Sequence, residues 1–373
     1  TTEIYTLSLH DALPISTYSP DGMWNRLEHR PLEGFVFAVS PFNFTSIGGN
    51  LTAAPALMGN VVLWKPASSA VYSSHFMMQL FIEAGVPDGV INFIPGSGRD
   101  VGPNVLKDPN LAGIHFTGST AVFQGMWKTV GENISNYKSY PRIVGETGGK
   151  DFCIAHESSD VDGLATAMVR GAFEYQGQKC SALSRTYIPT NIWPELKEKY
   201  LAQVEAIKMG DPEDFSNFMN AVIDQSAFDS ITDYIDGAKK AADAEIISGG
   251  NYDDAKGYFI EPTTILTDNP KYITMCEEIF GPVLTIYLYD PKDWKATLDL
   301  VDSTSPYALT GCVWGRDREA VNEASLRLTH AAGNFYINDK PSGAVVGQQP
   351  FGGSRASGDR KSTRLNSSHV LIS

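Results

Sequence analysis

Residues 35–39 read Phe35-Val36-Phe37-Ala38-Val39, a short run of apolar and β-branched side chains without polar alternation. Four similar runs follow along the chain, at residues 61–64, 90–94, 113–116 and 142–144. Strands that are apolar on both faces are typical of a parallel sheet covered by helices on two sides. Because these runs alternate with helical segments, the sequence predicts a doubly wound α/β sheet.

A second alternating block starts near residue 150 and predicts a second doubly wound unit. Its first helix has an apolar stripe with Asp160 placed as the N-cap, and the stripe consists of Val161, Leu164, Ala165, Met168, Val169 and Ala172. A second stripe consists of Phe228, Ile231, Ile235, Ala238 and Ala242. Both stripes are interpreted as core. We therefore expect two α/β domains, 34–149 and 150–352, with a soft boundary between them.

Composition limits the classes of function. The chain has 373 residues, of which 42% are hydrophobic, so it has enough apolar material for two domains. Its formal charge of −14 argues against nucleic acid or an anionic membrane surface as a partner, because both would repel it. No run approaches the roughly 18 apolar residues that a membrane span needs, and the first residues lack the basic head of a signal peptide. We expect a soluble protein.

The four cysteines lie far apart, without zinc-ligand or disulfide spacing. This distribution fits a reducing compartment. Cys153, Cys276 and Cys312 lie in apolar runs and are predicted to be core residues. No cluster of His or carboxylate residues has metal-ligand spacing, so no metal is expected.

Cys180 is the exception, because it lies in a Gly-containing stretch between Lys179 and Ser181, 34 positions after Glu146. A thiol beside a cationic lysine can serve as a nucleophile, and a separate carboxylate can activate water to release a captured group. Taken singly, a cysteine is more often a buried apolar residue and a glutamate beside glycines a solvated turn residue. The pair predicts covalent catalysis in two steps.

Seven sequence motifs favour the catalytic interpretation of Cys180 and Glu146 over the ordinary one. They are Ser40-Pro41-Phe42-Asn43-Phe44, Leu63-Trp64-Lys65-Pro66, Phe116-Thr117-Gly118-Ser119, Gly145-Glu146-Thr147-Gly148-Gly149-Lys150, Gly177-Gln178-Lys179-Cys180, Glu277-Glu278-Ile279-Phe280-Gly281-Pro282 and Pro350-Phe351-Gly352-Gly353. In this order and spacing they resemble the aldehyde dehydrogenase family, from about Trp24 to Gly358. The resemblance implies a Rossmann-like NAD domain followed by a catalytic domain. The sequence of residues 41–51, and that of 338–340 with 347–353, resembles the branch that oxidises glutamate semialdehyde to glutamate in proline breakdown.

The resemblance implies a role for each catalytic group. Cys180 attacks the aldehyde carbon, Asn43 and the backbone N–H of Cys180 stabilise the oxyanion, and Glu146 activates the water that hydrolyses the thioester. Without the resemblance, Asn43 is equally explained as a buried amide that ties two loops together.

The cofactor implied by the resemblance is NAD. Lys65 is placed to reach the adenosine ribose and Glu278 to hold the nicotinamide ribose. The other positions implied for the cofactor are Ser40, Gly118, Ser119, Thr120, Ala121, Val122 and Phe280. Ser68 stands where many relatives carry an acidic residue, which leaves NADP open as an alternative. The Gly-rich turn at 95–102 is either a second cofactor contact or an ordinary turn.

For the substrate, the resemblance nominates Ser181 and the backbone amides of Gly343 and Ala344 as donors to a carboxylate. Phe44 and Phe351 would flank the aliphatic middle of the substrate. By spacing alone, residues 342–344 form an ordinary tight loop.

The ends of the chain match nothing in the family. Residues 1–16 and 360–373 are interpreted as non-native tails of adapter read-through, 17–33 as a linker or oligomerisation segment and 353–359 as a return segment. Relative to the family, about the first third is expected to be absent. The complete protein is expected to be a homo-oligomer in the cytoplasm, or in the mitochondrial matrix if the source is eukaryotic. It is either free-standing or half of a bifunctional proline-oxidising enzyme.

Three alternatives to the predicted dehydrogenase stay open. An aldehyde dehydrogenase of another specificity would reduce NAD with simple aldehydes only. A thiol hydrolase would use Cys180 and Glu146 without a nicotinamide. An inactive fragment with a binding or structural role would do neither.

Overall fold

The computed structural model describes residues 21–22, 30–342 and 349–359. Its first sheet has five strands, all parallel, in the order β3-β2-β1-β4-β5. The strands are β1 (Phe35–Ser40), β2 (Val61–Pro66), β3 (Ile91–Phe93), β4 (Leu111–Thr117) and β5 (Arg142–Glu146). Each predicted apolar run therefore forms a strand, which confirms the doubly wound sheet. This strand order reverses direction between β1 and β4, the place where open α/β sheets bind ligands beyond the carboxyl ends of the strands.

Four helices accompany the first sheet. They are α1 (Thr45–Leu57), α2 (Val71–Glu83), α3 (Gly98–Val105) and α4 (Thr120–Glu132). The core between helices and strands is apolar, and Trp64 at its centre is fully buried, with its indole N–H donating to Oγ of Ser40 over 2.9 Å. Because Ser40 ends β1 and α1 begins five residues later, this core fixes the turn that carries Asn43.

The second sheet has seven strands in the order β15-β14-β6-β7-β12-β11-β8, with β8 antiparallel to β11 and the other pairs parallel. Its strands are β6 (Asp151–Ala155), β7 (Leu183–Pro189), β8 (Ala244–Ser248), β11 (Thr263–Thr267), β12 (Val283–Tyr289), β14 (Thr310–Trp314) and β15 (Asn334–Ile337). Two short pairs lie outside it: β9 (Tyr252–Asp253) with β10 (Phe259–Ile260), and β13 (Tyr307–Ala308) with β16 (Ser354–Arg355).

Six helices belong to this second part. They are α5 (Val161–Phe173), α6 (Trp193–Glu205), α7 (Gln225–Lys240), α8 (Ile273–Cys276), α9 (Trp294–Ser303) and α10 (Arg318–Arg327). The predicted cap of α5 is confirmed, since the Asp160 side chain accepts from the Gly163 amide over 3.2 Å. The second predicted stripe ran two residues too far: α7 ends at Lys240, the next residue is extended, and Ala242 lies outside the helix.

Two of the three cysteines predicted as core are buried. Cys153 and Cys312 are register partners on the adjacent strands β6 and β14. The prediction for Cys276 is confirmed only in part, because it packs against the core but is half-buried at the end of the four-residue helix α8. All four cysteines are free thiols.

The two sheets approach each other edge to edge. Glu146 ends β5 at the carboxyl edge of the first sheet, and Asp151 begins β6 at the amino edge of the second. Residues 354–359 run between the two sheets: β16 pairs with β13, and Gly358 forms a bridge with Glu146. The carboxyl edge of the first sheet thus faces the amino edge of the second. The predicted domain boundaries remain predictions.

Within these described ranges, no helix has the length and apolar character needed to cross a bilayer. The same residues contain no group of three His, Cys, Asp or Glu side chains arranged to hold a metal ion. The predicted tails at 1–16 and 360–373 lie outside the described residues.

Candidate active site

Cys180 is presented by a left-handed turn between α5 and β7. Tyr175, Gln176 and Gly177 have φ values of 60°, 58° and 64° in succession. A β-carbon at Gly177 would lie 2.3 Å from the carbonyl oxygen of Gly281, so only glycine fits there. The Gln178 side chain anchors the turn to a distant segment, because it accepts a hydrogen bond from the Ile223 amide over 3.1 Å. The chain therefore leaves α5 sharply and places the thiol beyond the amino end of β7.

The thiol of Cys180 donates to Oε1 of Glu146, with the sulfur 3.2 Å from the oxygen. Burial raises the pKa of Glu146 to about 7, and the hydrogen bond from Cys180 opposes that rise. Burial, followed by the nearby Glu146 carboxylate, raises the pKa of the Cys180 thiol well above its ordinary value. The resting pair is thus a neutral thiol next to a carboxyl group that ionises near neutral pH.

The expected activation of the thiol by Lys179 is not what the structure shows. The Lys179 ammonium lies 2.9 Å from Oε2 of Glu174 and donates to Oγ of Ser342 over 3.4 Å. Its charge is directed at Glu174 rather than at Cys180, and the raised pKa of the thiol agrees with that arrangement. The proton acceptor beside the sulfur is Glu146.

Two cavities meet at Cys180. One, of about 820 Å³, is lined by Cys180 together with Glu146, Phe44 and Phe351, and we call it the substrate-side cavity. The other, of about 720 Å³, is lined by Cys180 with Lys65 and Glu278, and we call it the cofactor-side cavity. A reactant bound on one side of the sulfur therefore has direct access to a group bound on the other.

Asn43 also lines the cofactor-side cavity and is 4% exposed. Its amide nitrogen donates one hydrogen to the carbonyl of Gln178 over 3.1 Å, which leaves the second hydrogen of the NH₂ group for another acceptor. Its backbone carbonyl accepts from the Tyr175 hydroxyl over 2.6 Å. Asn43 is thus tied to the cysteine turn at two points, as a fixed oxyanion donor would need to be.

The positions predicted for the cofactor gather around the second cavity. Lys65 is 8% exposed, donates to the Pro66 carbonyl over 2.9 Å, and has a pKa lowered by burial. Glu278 accepts from the Gly149 amide over 2.9 Å, and burial raises its pKa to about 7. Predicted residues in the cavity wall are Ser40, Lys65, Gly118, Ser119, Val122, Glu278 and Phe280.

Two predicted positions are not in that wall. Thr120 directs its hydroxyl to the Ala356 carbonyl over 3.4 Å, and Ala121 is exposed on α4. The Gly-rich turn does reach the cavity, through Ser97, Gly98 and Gly102. Ser68 is exposed beyond the end of β2.

The cofactor-side residues fit a dinucleotide. The cavity opens at the carboxyl edge of a sheet of the 3-2-1-4-5 order, where dinucleotides bind. The side chain of Ser119, the N-cap of α4, does not cap the first-turn amides, and Ser119 lines the cavity, so these amides are available to an anion. The Glu278 carboxylate lies over the backbone of Gly148, where a β-carbon would come within 1.9 Å of Oε2. Because residue 148 is a glycine, the Glu278 carboxylate fits in the cavity wall, where it can accept a hydrogen bond from a ribose hydroxyl.

On the substrate side, Phe44, Ser181 and Phe351 line one wall with Cys180. Phe44 stacks on Tyr175 with ring centroids 5.0 Å apart and an interplanar angle of 13°. Gly343 and Ala344, the predicted backbone donors, lie outside the described residues.

Sequence reasoning missed several residues of the site. Tyr175 contacts both Asn43 and Phe44, and Phe42 packs edge-on against Phe280 with centroids 5.7 Å apart. Phe42 lies inside the recognised motif at residues 40–44, so position in a motif was the available signal for it. Glu174 and Lys340 also line the substrate-side cavity. Lys340 lies in the recognised stretch 338–340, whereas Glu174 and Tyr175 carried no such signal.

These features define a class: an α/β enzyme whose cysteine nucleophile lies between a dinucleotide-type cavity and a second cavity. The family model described as "Aldehyde dehydrogenase family" matches residues 4–370. The chain belongs to that family, and the family predicted from the motifs is confirmed.

Among curated proteins, the chain is 56% identical over 349 residues to the mitochondrial delta-1-pyrroline-5-carboxylate dehydrogenase of Dictyostelium discoideum, covering 92% of the chain and 62% of the relative. It is 50% identical to the enzyme of that name from Danio rerio, covering 95% of the chain and 63% of the relative. Among solved structures, the Mycobacterium tuberculosis Delta-pyrroline-5-carboxylate dehydrogenase bound with NAD superposes with a TM-score of 0.89 at 48% identity, covering 100% of the chain and 70% of that structure. The chain thus spans about 62% of the length of the first curated relatives it matches.

Proposed function

We propose that the chain carries the active site of an NAD-dependent dehydrogenase that oxidises glutamate 5-semialdehyde, formed from delta-1-pyrroline-5-carboxylate, to glutamate. The observation that carries this proposal is the position of Cys180 in the wall shared by two cavities, with Glu146 3.2 Å from its sulfur. The relatives' names support the substrate, and the NAD-bound relative supports the cofactor.

The first step is the capture of the aldehyde. The Cys180 thiol passes its proton to the Glu146 carboxylate, and the thiolate attacks the carbonyl carbon to form a C–S bond. The carbonyl π electrons move to oxygen, and the free hydrogen of the Asn43 amide stabilises that oxyanion. A donor of this type contributes about 3–4 kcal/mol to the transition state.

The second step releases the acid. The residues of the cofactor-side cavity would hold NAD beside Cys180, where it would supply the hydride acceptor that converts the captured aldehyde into a thioester on Cys180. Glu146 releases the thiol proton to solvent and then takes a proton from water as the water oxygen attacks the thioester carbon. The C–S bond then breaks, the acid leaves, and the thiol regains its proton.

The residues of the cofactor-side cavity divide the binding of NAD between them. Lys65 has two hydrogens left for ribose hydroxyls, and the start of α4 offers amides to the pyrophosphate. Glu278 would accept from a ribose hydroxyl. Ser68 places no carboxylate near the adenosine ribose, so NADP stays the alternative cofactor.

For the whole protein we propose a homo-oligomer that acts on a small molecule. The mitochondrial names of several relatives support a matrix location if the source is eukaryotic.

The proposal is tested by mixing the chain with NAD and glutamate semialdehyde and following NADH absorbance. The expected result is NADH formation that Cys180→Ala abolishes while NAD still stabilises the variant against heat. A ligand at 100 times its dissociation constant adds about 2.7 kcal/mol. Reduction of NAD with hexanal but never with the semialdehyde would show a different specificity. Cleavage of activated esters with no requirement for the NAD contacts would show a thiol hydrolase.

A further inference from the structure

Four charged side chains form a compact group at one end of the substrate-side cavity, and we call them the cationic cluster: Arg170, Glu174, Lys179 and Lys340. Oε1 of Glu174 lies 2.6 Å from a terminal guanidinium nitrogen of Arg170. Oε2 of Glu174 lies 2.9 Å from the Lys179 ammonium and 2.6 Å from the Lys340 ammonium. One carboxylate thus serves three cations, which gives the cationic cluster a formal charge of +2.

Three members of the cationic cluster are withdrawn from solvent. The side chains of Glu174, Lys179 and Lys340 are 16%, 15% and 20% exposed, whereas that of Arg170 is 56% exposed. Burial would raise the pKa of Glu174, but hydrogen bonds from Lys340 and Lys179 outweigh it and lower the pKa to about 2. Glu174 therefore stays ionised across the working pH range, and it holds both lysines in place.

The cationic cluster and the reacting groups share one cavity. The substrate-side cavity, which Cys180 and Glu146 line, is also lined by Glu174, Lys179 and Lys340. The protein as a whole has a formal charge of −14, which repels anions at long range. At this end of the cavity Lys179 and Lys340 exceed the charge of Glu174 by one, which favours an anionic aldehyde there. Partly buried charges act strongly at this range because water screens them less than exposed charges.

Of the three cations in the cationic cluster, Lys340 is the one whose position is least explained by a structural role. Lys179 is already tied to the cysteine turn by sequence, and Arg170 is mainly in solvent. Lys340 comes from a segment 160 positions after Cys180, yet it reaches the same carboxylate oxygen as Lys179.

We propose that Lys340 is a specificity-determining residue, and that the cationic cluster selects aldehydes that also carry a carboxylate. The inference rests on the proposed dehydrogenase function and adds the group that discriminates by charge. Lys340 acts on binding of the anionic end of the substrate, so its effect falls on KM and not on kcat.

The test compares two aldehydes in three variants. Lys340→Met removes the charge at similar size, Lys340→Arg restores it, and Lys199→Met is the matched control. Lys199 also lies close to two carboxylates, 2.7 Å from Asp162 and 2.8 Å from Glu195, but it does not line the cavity. Steady-state kcat/KM is measured for glutamate semialdehyde and for hexanal, which has no carboxylate.

The expected result is that Lys340→Met lowers kcat/KM for the semialdehyde about tenfold through KM, which corresponds to about 1.4 kcal/mol. Hexanal turnover stays unchanged, Lys340→Arg recovers most of the loss, and Lys199→Met behaves as the wild type. Equal losses for both aldehydes in Lys340→Met, or no loss for either, would overturn the proposal. Failure of the wild type to oxidise any aldehyde would instead refute the proposed function.

A binding measurement keeps the inference testable without turnover. Glutarate, a five-carbon dicarboxylate, is titrated into each protein in a calorimeter. Lys340→Met is expected to weaken glutarate about tenfold relative to the wild type and to Lys199→Met. Equal affinity in all three proteins would contradict the selection of anions by Lys340.

Discussion

The sulfur of Cys180 and Oε1 of Glu146 are 3.2 Å apart, with the thiol as donor. The two residues come from opposite edges of two sheets, since Glu146 ends β5 and Cys180 precedes β7. This contact gives Glu146 access to both protons that the proposed reaction moves, that of the thiol and that of the hydrolytic water. One carboxyl group therefore serves both halves of the cycle.

Replacing Cys180 with Ala should abolish NADH formation, because no other described side chain lies between the two cavities with a nucleophilic sulfur. The reaction is followed by NADH absorbance under saturating aldehyde. Cys276→Ala is the control, since that thiol is half-buried and hydrogen-bonds only to the Lys271 carbonyl among the contacts described. Residual dehydrogenase activity in Cys180→Ala, or equal loss in Cys276→Ala, would contradict the assignment.

The pH dependence of turnover should follow Glu146. Its folded pKa is raised to about 7 by burial, and a general base works only when deprotonated. The deacylation rate should therefore fall about tenfold per pH unit below about pH 7 and level off above it. The check is kcat measured from pH 5.5 to 8.5 under conditions where hydrolysis limits the rate.

Glu146→Gln supplies the control for that profile. It should lower steady-state turnover by about 10²–10⁴-fold and remove the limb near pH 7. A rapid-mixing experiment should show one NADH per site, formed together with the thioester but more slowly than in the wild type, because Glu146 also accepts the thiol proton in the first step. If Glu146→Gln kept the wild-type decrease in rate below about pH 7, that decrease would belong to a group other than Glu146.

The parts that sequence predicts well are local. The five strands of the first sheet follow from short apolar runs, and the start of α5 follows from Asp160 three residues before the amide it caps. Both depend on residues that are neighbours in the chain. The end of α7 was misjudged because Ala242 continues an apolar stripe that the backbone does not continue.

The parts that sequence could not predict join distant residues. The sequence places Lys179 next to Cys180 and predicts that it activates the thiol, but Glu174 and Ser342 determine where its ammonium lies. Tyr175 contacts Asn43 across 132 positions, and no spacing rule connects them. Likewise, Arg185 is 1% exposed in a strand that reads as core, and it is satisfied by the carbonyls of Lys150 and Val301. Such partners are fixed by tertiary packing.

Asn43→Ala should reduce kcat by about 10²–10³-fold if the free amide hydrogen stabilises the oxyanion. Substrate KM should change little, because the donor acts on charge that develops after binding. Steady-state kinetics on the semialdehyde separates the two parameters. Thermal unfolding of the variant provides the control, since Asn43 also donates to Gln178 and a loss of folding would lower kcat for a different reason.

Gly177→Ala should destabilise the protein by at least about 2 kcal/mol. The residue has φ +64°, where a non-glycine residue costs about 1–2 kcal/mol, and its new β-carbon would meet the Gly281 carbonyl oxygen at 2.3 Å. Urea unfolding followed by circular dichroism measures the change. Gly237→Ala is the matched control: it lies in α7 with nothing within 4 Å of an added β-carbon, and it should stabilise the helix by about 0.5–1 kcal/mol. If both substitutions changed the free energy of unfolding equally, the strain and the clash assigned to position 177 would be contradicted.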